Sequence, residues 1–267
     1  MLKPEEIERA ADALYEAERE RRQIAALTLA HPDMTMDDAY AVQKRWVERK
    51  IADGRQVVGY KIGLTSRAMQ MAVNIDQPDF GVLLDDMMFD TGARIEAGHF
   101  TDPRIETEFA FVLKAPLSGS NVSIDEVMAA TDYIVPALEL IAARSYRTDP
   151  ASGYTRKVFD TIADNAANAG VVVGDVRIDK DDIDLVWAGA LLYLNDQIEE
   201  TGLAGGVLGH PAHGISWVCR RFAAHGVGLE PGQLVLSGSF TRPVAVKAGD
   251  RIRADYGRYG TVSVDFT

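Results

Sequence analysis

A chain of 267 residues, 47% hydrophobic and 25% charged, is long enough to bury a sizeable core and ordinary enough in composition to be globular. Its formal charge of −12 argues against nucleic acid and anionic membranes as partners, since both demand a basic footprint, and no run approaches the roughly 18 to 20 apolar residues of a membrane-spanning helix. The one cysteine, Cys219, excludes an intramolecular disulfide framework; with a charged start that lacks a signal-type apolar stretch, it predicts a cytoplasmic protein.

Pro4 predicts a helix start, because its missing N–H falls where no helical acceptor exists, and Ile7, Ala11, Leu14 and Ala17 follow at helical spacing. Thr35 and Asp38 have capping-box spacing and open a second helix through Val42, Trp46 and Lys50, with Gly54 as its stop. From about residue 56 the texture changes to short β-like runs: 57–62, 81–84, 104–113, 133–141, 170–173, 189–194, 234–236 and 251–256. Gly, Pro, Asn and Asp separate them, and helices interrupt at 124–131 and 210–225. The expected organisation is an N-terminal helical region over residues 1–55 and a β-rich body over 56–267, an α+β fold with a mixed sheet and no regular βαβ alternation.

Chemistry-bearing residues interrupt these runs. Lys61 ends an apolar strand between Gly59 and Gly63, where a backbone can approach a ligand closely; the plainer use of such a lysine is a packed stem with a solvated head. Asp79 sits in the turn-like sequence Gln77-Pro78-Asp79-Phe80-Gly81, which alone favours a plain loop aspartate. In the run 104–113, Glu106 and Glu108 point to one face, about 6.6 Å apart along a strand, while Ile105, Thr107, Phe109, Phe111 and Leu113 take the other. The run 133–141 has a lone acid, Glu139, among apolar neighbours. Buried carboxylates need a counter-charge, either a hard divalent cation or an ion-pair ladder with Arg104, although one guanidinium cannot neutralise three acids.

Farther along, the stretch from Asp160 to Ala166 is polar enough to line a site or to cap a helix. Glycines between 202 and 209 lack the G-x-G-x-x-G pattern after a strand, so close packing explains them better than nucleotide binding. His210 and His213 suit capping at a helix start, and Cys219 lies in a packed helical stretch. Ser237, Gly238, Ser239 and Thr241 follow an apolar strand with hydroxyls and backbone N–H groups able to hold a carboxylate, without the nucleophile-elbow pattern of a serine hydrolase.

Together, the motifs Lys61-Ile62-Gly63-Leu64-Thr65-Ser66, Ile105-Glu106-Thr107-Glu108, Pro136-Ala137-Leu138-Glu139, Asp160 to Ala166 and Ser237 to Thr241 resemble the fumarylacetoacetate hydrolase superfamily. Within it, they resemble the branch of 2-oxoalkenoate hydratases and decarboxylases. The resemblance implies a mixed β-sandwich roll with an N-terminal helical region, assembled as a homo-oligomer, a pentamer or decamer. It implies Glu106, Glu108 and Glu139 as ligands of Mg²⁺ or Mn²⁺, with Lys61 and Asp79 as catalytic groups beside a small 2-oxo dicarboxylate. Leu64, Asn165, Ser237 and Thr241 are carried as substrate contacts. Separately from the resemblance, Arg147, Arg156 or Lys157 is a candidate to hold the distal carboxylate of a dicarboxylate, and the same charge could equally be solvated surface.

The hydrolases of the superfamily activate water with a histidine, and no histidine lies between Lys61 and Phe80. That departure disfavours C–C hydrolysis and leaves hydration of a seven-carbon 2-oxoalkenedioate, with decarboxylation of a six-carbon one or hydration of a five-carbon oxoalkenoate as alternatives. A non-catalytic partner subunit of a hydratase and decarboxylase complex is the reading from a different class.

Overall fold

The computed structural model describes residues 1–72 and 75–267. Its helices are α1 (Pro4–Arg19), α2 (Leu27–Ala30), α3 (Met36–Ala52), α4 (Arg67–Ala72), α5 (Ile124–Ala130), α6 (Val158–Ala163) and α7 (Ala212–Ala223). The strands are β1 (Val57–Gly63), β2 (Asp79–Leu84), β3 (Met88–Asp90), β4 (Ala93–Ile95), β5 (Arg104–Leu113), β6 (Thr131–Ile141), β7 (Asn168–Val173), β8 (Gly189–Leu194), β9 (Gln197–Leu203), β10 (Leu234–Leu236), β11 (Val244–Ala245), β12 (Arg251–Asp255) and β13 (Thr261–Phe266).

Local chemistry accounts for the helical start. Pro4 is the first helical residue of α1, and Ala10, Ala11, Leu14 and Ala17 form its buried stripe. At α3, Thr35 Oγ1 accepts from the Asp38 N–H at 3.2 Å while Asp38 Oδ2 accepts from the Thr35 N–H at 2.9 Å, the reciprocal cap expected from their spacing. Gly54 ends that helix with φ of 91°, where a Cβ would be strained. Both helices pack Ala11, Leu14, Val42 and Trp46 against Val82 and Leu84 of β2 and Ile162 of α6.

The larger sheet has the order β2-β1-β10-β5-β6-β7-β3, with β11 also pairing β5. The smaller has the order β4-β13-β12-β8-β9, and neither closes into a barrel. Side-chain alternation gives the larger sheet two different faces. One carries Ile62, Phe109, Phe111, Leu138, Val172 and Val235, which share a core with Leu192, Ile252, Val262 and Val264 of the smaller sheet and with Ile215, Val218 and Cys219 of α7. The opposite face carries Ala110, Ala137, Val171 and Leu236, and among these small and apolar residues stand the charged side chains of the site.

A buried ion network ties the N-terminal helices to the turn after β6. Arg144 donates through Nε to Glu18 Oε2 at 2.6 Å and through Nη1 to Asp164 Oδ1 at 3.0 Å, and its guanidinium lies 4.7 Å from the Trp46 ring centre. Removing one partner of such a cluster leaves charges buried and unpaired, so Arg144→Ala is expected to cost about 3–5 kcal/mol and to lower Tm by on the order of 10 °C in a thermal melt. Burial works against the Glu18 charge, but Arg144 and Lys50 hold its carboxyl below its ordinary 4.5. Its stabilisation is therefore complete above that value and lost as pH falls through the lower folded one, so Glu18→Gln should flatten the acid limb of stability against pH.

Candidate metal centre

The antiparallel register of β5 and β6 sets Glu106 directly opposite Glu139, and Glu108 opposite Ala137, whose small side chain leaves room. Since Glu106 and Glu108 are two residues apart, all three carboxylates share one sheet face, and one oxygen from each lies within 4.8 Å of the others. Glu108 and Glu139 are buried and Glu106 is half-buried. The Gly238 N–H donates to Glu108 Oε2 at 2.8 Å, and Asn168 Nδ2 donates to Glu139 Oε1 at 2.8 Å. Glu139 Oε2 is buried with no hydrogen-bond partner. From the opposite face, Tyr256 Oη donates between the two strands, 2.6 Å from the Ala137 carbonyl and 3.1 Å from that of Glu108.

Lys61 reaches the same face from β1, which runs parallel to β10 and brings Lys61 level with Leu236. Its Nζ lies 3.3 Å from Glu139 Oε1, and the residue is buried. Burial opposes its charge, but Glu139, Asp79, Glu106 and Glu108 together raise its pKa. Asp79 begins β2 opposite Gly63, where a Cβ would collide with Asp79 Oδ1 and sit 3.1 Å from Lys61 Nζ. Gly63 is therefore what lets the lysine and aspartate heads meet. Asp79 Oδ1 is buried without a hydrogen bond, and burial pushes the carboxyl up to about 6 against the pull of Lys61.

One ammonium does not balance this face. Burial and then Glu139 push Glu106 up to about 8, and burial with Glu139 and Glu106 pushes Glu108 well above the carboxylate range. An all-oxygen donor set with an orphaned carboxylate oxygen fits a hard divalent cation. The ladder with Arg104 does not form: the Arg104 ion pair is with Asp102, at 3.7 Å.

The remaining sequence-predicted residues fall into two groups. Leu64, in the left-handed region with φ of 54°, turns the chain at the end of β1. Ser237 Oγ donates to the Phe109 carbonyl at 3.0 Å, and Thr241 Oγ1 accepts from the Thr107 N–H at 3.1 Å, so both hydroxyls fasten the strand that carries the glutamates. Asn165 accepts from the Val82 N–H at 2.8 Å and donates to its carbonyl at 2.9 Å, which makes it a brace for β2. It starts three consecutive left-handed residues, Asn165, Ala166 and Ala167, a backbone conformation that costs energy and persists because the surroundings enforce it. That turn delivers Asn168 to Glu139.

Arg156 has a buried guanidinium, whereas Lys157 is exposed at the start of α6 and its N–H is taken by Asp160 at 2.8 Å. Adjacent residues in an extended chain face opposite ways, and here the arginine has the inward direction and the lysine the outward one. Sequence reading missed Asn168 as a site-shaping residue. Gly63 and Gly238 were legible as close-approach and backbone N–H positions inside their motifs, but Asn168 is two residues beyond its motif and carries no spacing signal.

Comparison with known proteins agrees with this geometry. The profile described as fumarylacetoacetate (FAA) hydrolase C-terminal matches residues 57–267. A 2-oxo-hept-4-ene-1,7-dioate hydratase of Escherichia coli is 53% identical over 256 residues, covering 96% of each chain. A 2-hydroxyhexa-2,4-dienoate hydratase of Comamonas testosteroni is 37% identical over 98% of this chain and 97% of its own. Among solved structures, the 4-oxalocrotonate decarboxylase of Pseudomonas putida G7 in complex with magnesium and adipate superposes with a TM-score of 0.94 at 31% identity, covering 100% of this chain and 99% of that one. With a two-sheet body, an acidic triad on one sheet face and relatives that match it nearly end to end, the chain belongs to the fumarylacetoacetate hydrolase family.

Proposed function

We propose that this chain is a metal-dependent hydro-lyase that converts 2-oxo-hept-4-ene-1,7-dioate, or its 2-hydroxydienoate tautomer, to 4-hydroxy-2-oxoheptanedioate in the catabolism of aromatic compounds. The observation that carries the reading is the gathering of Glu106, Glu108 and Glu139 around one orphaned oxygen beside a buried lysine. These three residues would hold Mg²⁺ or Mn²⁺. Bound there, the cation would supply Lewis acidity to the 1-carboxylate and 2-oxo oxygens of the substrate.

The chain's own groups do the rest. Gly238 and Asn168 keep Glu108 and Glu139 aimed, and Tyr256 keeps their strands in register. Lys61 places positive charge beside the substrate oxygens, where negative charge develops as the 2-hydroxyl gives up its proton and before C5 takes one. Asp79, buried next to Lys61, carries the proton that leaves the 2-hydroxyl and arrives at C5, producing a conjugated enone. Water then adds at C4 of that enone and its proton ends at C3. The triad, a divalent cation and Lys61 balance to neutrality, so an anionic oxo acid enters without a large uncompensated charge.

The same reading makes the protein a cytoplasmic homo-oligomer. In support, Trp187, Leu191, Ile198 and Leu203 expose apolar side chains around β8 and the outer strand β9.

The test is the ultraviolet absorbance of the five- and seven-carbon 2-hydroxydienoates. Absorbance is expected to fall with Mg²⁺, to stay constant with chelator, and to fall without release of CO₂. Release of CO₂ from the six-carbon 2-oxoalkenedioate would make the protein a decarboxylase. No absorbance loss on any substrate with Mg²⁺ present would point to a non-catalytic partner subunit.

A further inference from the structure

The segment after β6 forms a small hairpin whose purpose the metal centre does not explain. Thr148 and Thr155 bridge antiparallel, the Arg156 N–H donates to the Arg147 carbonyl at 3.0 Å, and Asp149 Oδ1 accepts from Ala151 and Ser152 N–H groups to close the turn. The hairpin is docked at its base, where the Tyr146 N–H donates to the Ile24 carbonyl at 2.9 Å. It therefore holds two arginines side by side on a fixed frame.

Those arginines are poorly satisfied. The Arg156 side chain is only 9% exposed, its Nη1 has no hydrogen-bond partner, and its nearest acid, Asp164 at 3.9 Å, is already engaged by Arg144. Arg147 pairs with Asp102 through Nε but leaves Nη2 buried and unpartnered. Arg104 shares that same Asp102 and leaves its Nε unpartnered. Guanidinium donors removed from water without acceptors forfeit their solvation for nothing in return, so the arrangement calls for an anion.

Position says which anion. Arg104 is on the same face of β5 as Glu106, two residues away, about 6.6 Å along the strand, which is the reach of on the order of five carbon–carbon bonds. Arg147 is tied to Arg104 by the Asp102 carboxylate, which pairs with both guanidiniums.

We propose that Arg156 and Arg147 on the hairpin, with Arg104 on the sheet below, form a clamp for the distal carboxylate of a dicarboxylate substrate and so select for chain length. The proposal rests on the reading that the opposite, 2-oxo acid end is held at the glutamate triad. A guanidinium offers parallel N–H donors to a carboxylate, and two of them on one rigid hairpin bind it with little ordering cost.

The experiment compares wild type with Arg156→Gln, Arg147→Gln and Arg156→Lys in Mg²⁺, using the seven-carbon 2-hydroxydienedioate and the five-carbon 2-hydroxydienoate, which has no distal carboxylate. The preference for the seven-carbon substrate, taken as a ratio of kcat/KM values, is expected to fall about 10- to 100-fold in each Gln variant and to recover partly in Arg156→Lys. An unchanged ratio overturns the clamp. Calorimetric binding of 2-oxoheptanedioate against 2-oxopentanoate gives the same ratio without turnover, so a wild type inactive on both dienoates would count against the hydratase reading while the clamp is still decided. If Arg156→Gln does not fold, Arg147→Gln, whose side chain is 30% exposed, carries the test alone.

Discussion

Replacing Glu108 by glutamine is expected to abolish turnover while raising, not lowering, the melting temperature of metal-free protein. In wild type without a cation, the buried Glu108 carboxylate faces Glu139 and Glu106 and has its pKa pushed well above the usual range. Glutamine keeps an oxygen to accept from the Gly238 N–H and removes one of the repelling charges, and exchanging buried charge for neutral groups of similar volume is often stabilising. Losing a ligand removes several kcal/mol of electrostatic stabilisation from the transition state, so activity should drop on the order of 10³-fold or more. Adding Mg²⁺ should raise Tm in wild type and leave the variant nearly unmoved. If Mg²⁺ raises both equally, or if the chelated variant turns over at the wild-type rate, the three glutamates are not the ligand set.

Lys61→Met should have the opposite signature in the metal-free protein. Lys61 Nζ is the cation within reach of Glu139, and methionine fills its stem volume without its charge, leaving Glu139, Asp79, Glu106 and Glu108 facing one another. The expected cost is about 3–5 kcal/mol in a thermal or denaturant melt, partly restored by Mg²⁺. Turnover should fall on the order of 10²- to 10³-fold even with Mg²⁺ saturating, as for loss of one preorganised electrostatic group. A variant that melts like wild type and keeps its rate would remove Lys61 from the site. Opposite shifts from Glu108→Gln and Lys61→Met would show that the site is strained by negative charge, a conclusion neither variant supports alone.

The sequence by itself determined the features that local rules govern. Alternation put Glu106 and Glu108 on one strand face, Pro4 and the Thr35 and Asp38 pair marked helix starts, and acids in otherwise apolar runs signalled a charged interior site. Edge elements were less legible: β9 carries Glu199, Glu200 and Thr201 and has no buried residue, so no apolar face marks it, and β3 and β4 are three residues each. Only the tertiary structure decided the pairings. The register that opposes Glu106 to Glu139, the parallel pairing of β1 with the distant β10 that delivers Lys61, and the meeting of Asp79 with Gly63 join residues far apart in the chain. So does the brace from Asn168 to Glu139. Register is set by the burial of whole sheet faces and by packing between layers, and a one-residue slip would reverse every side chain, so no window of sequence contains that information.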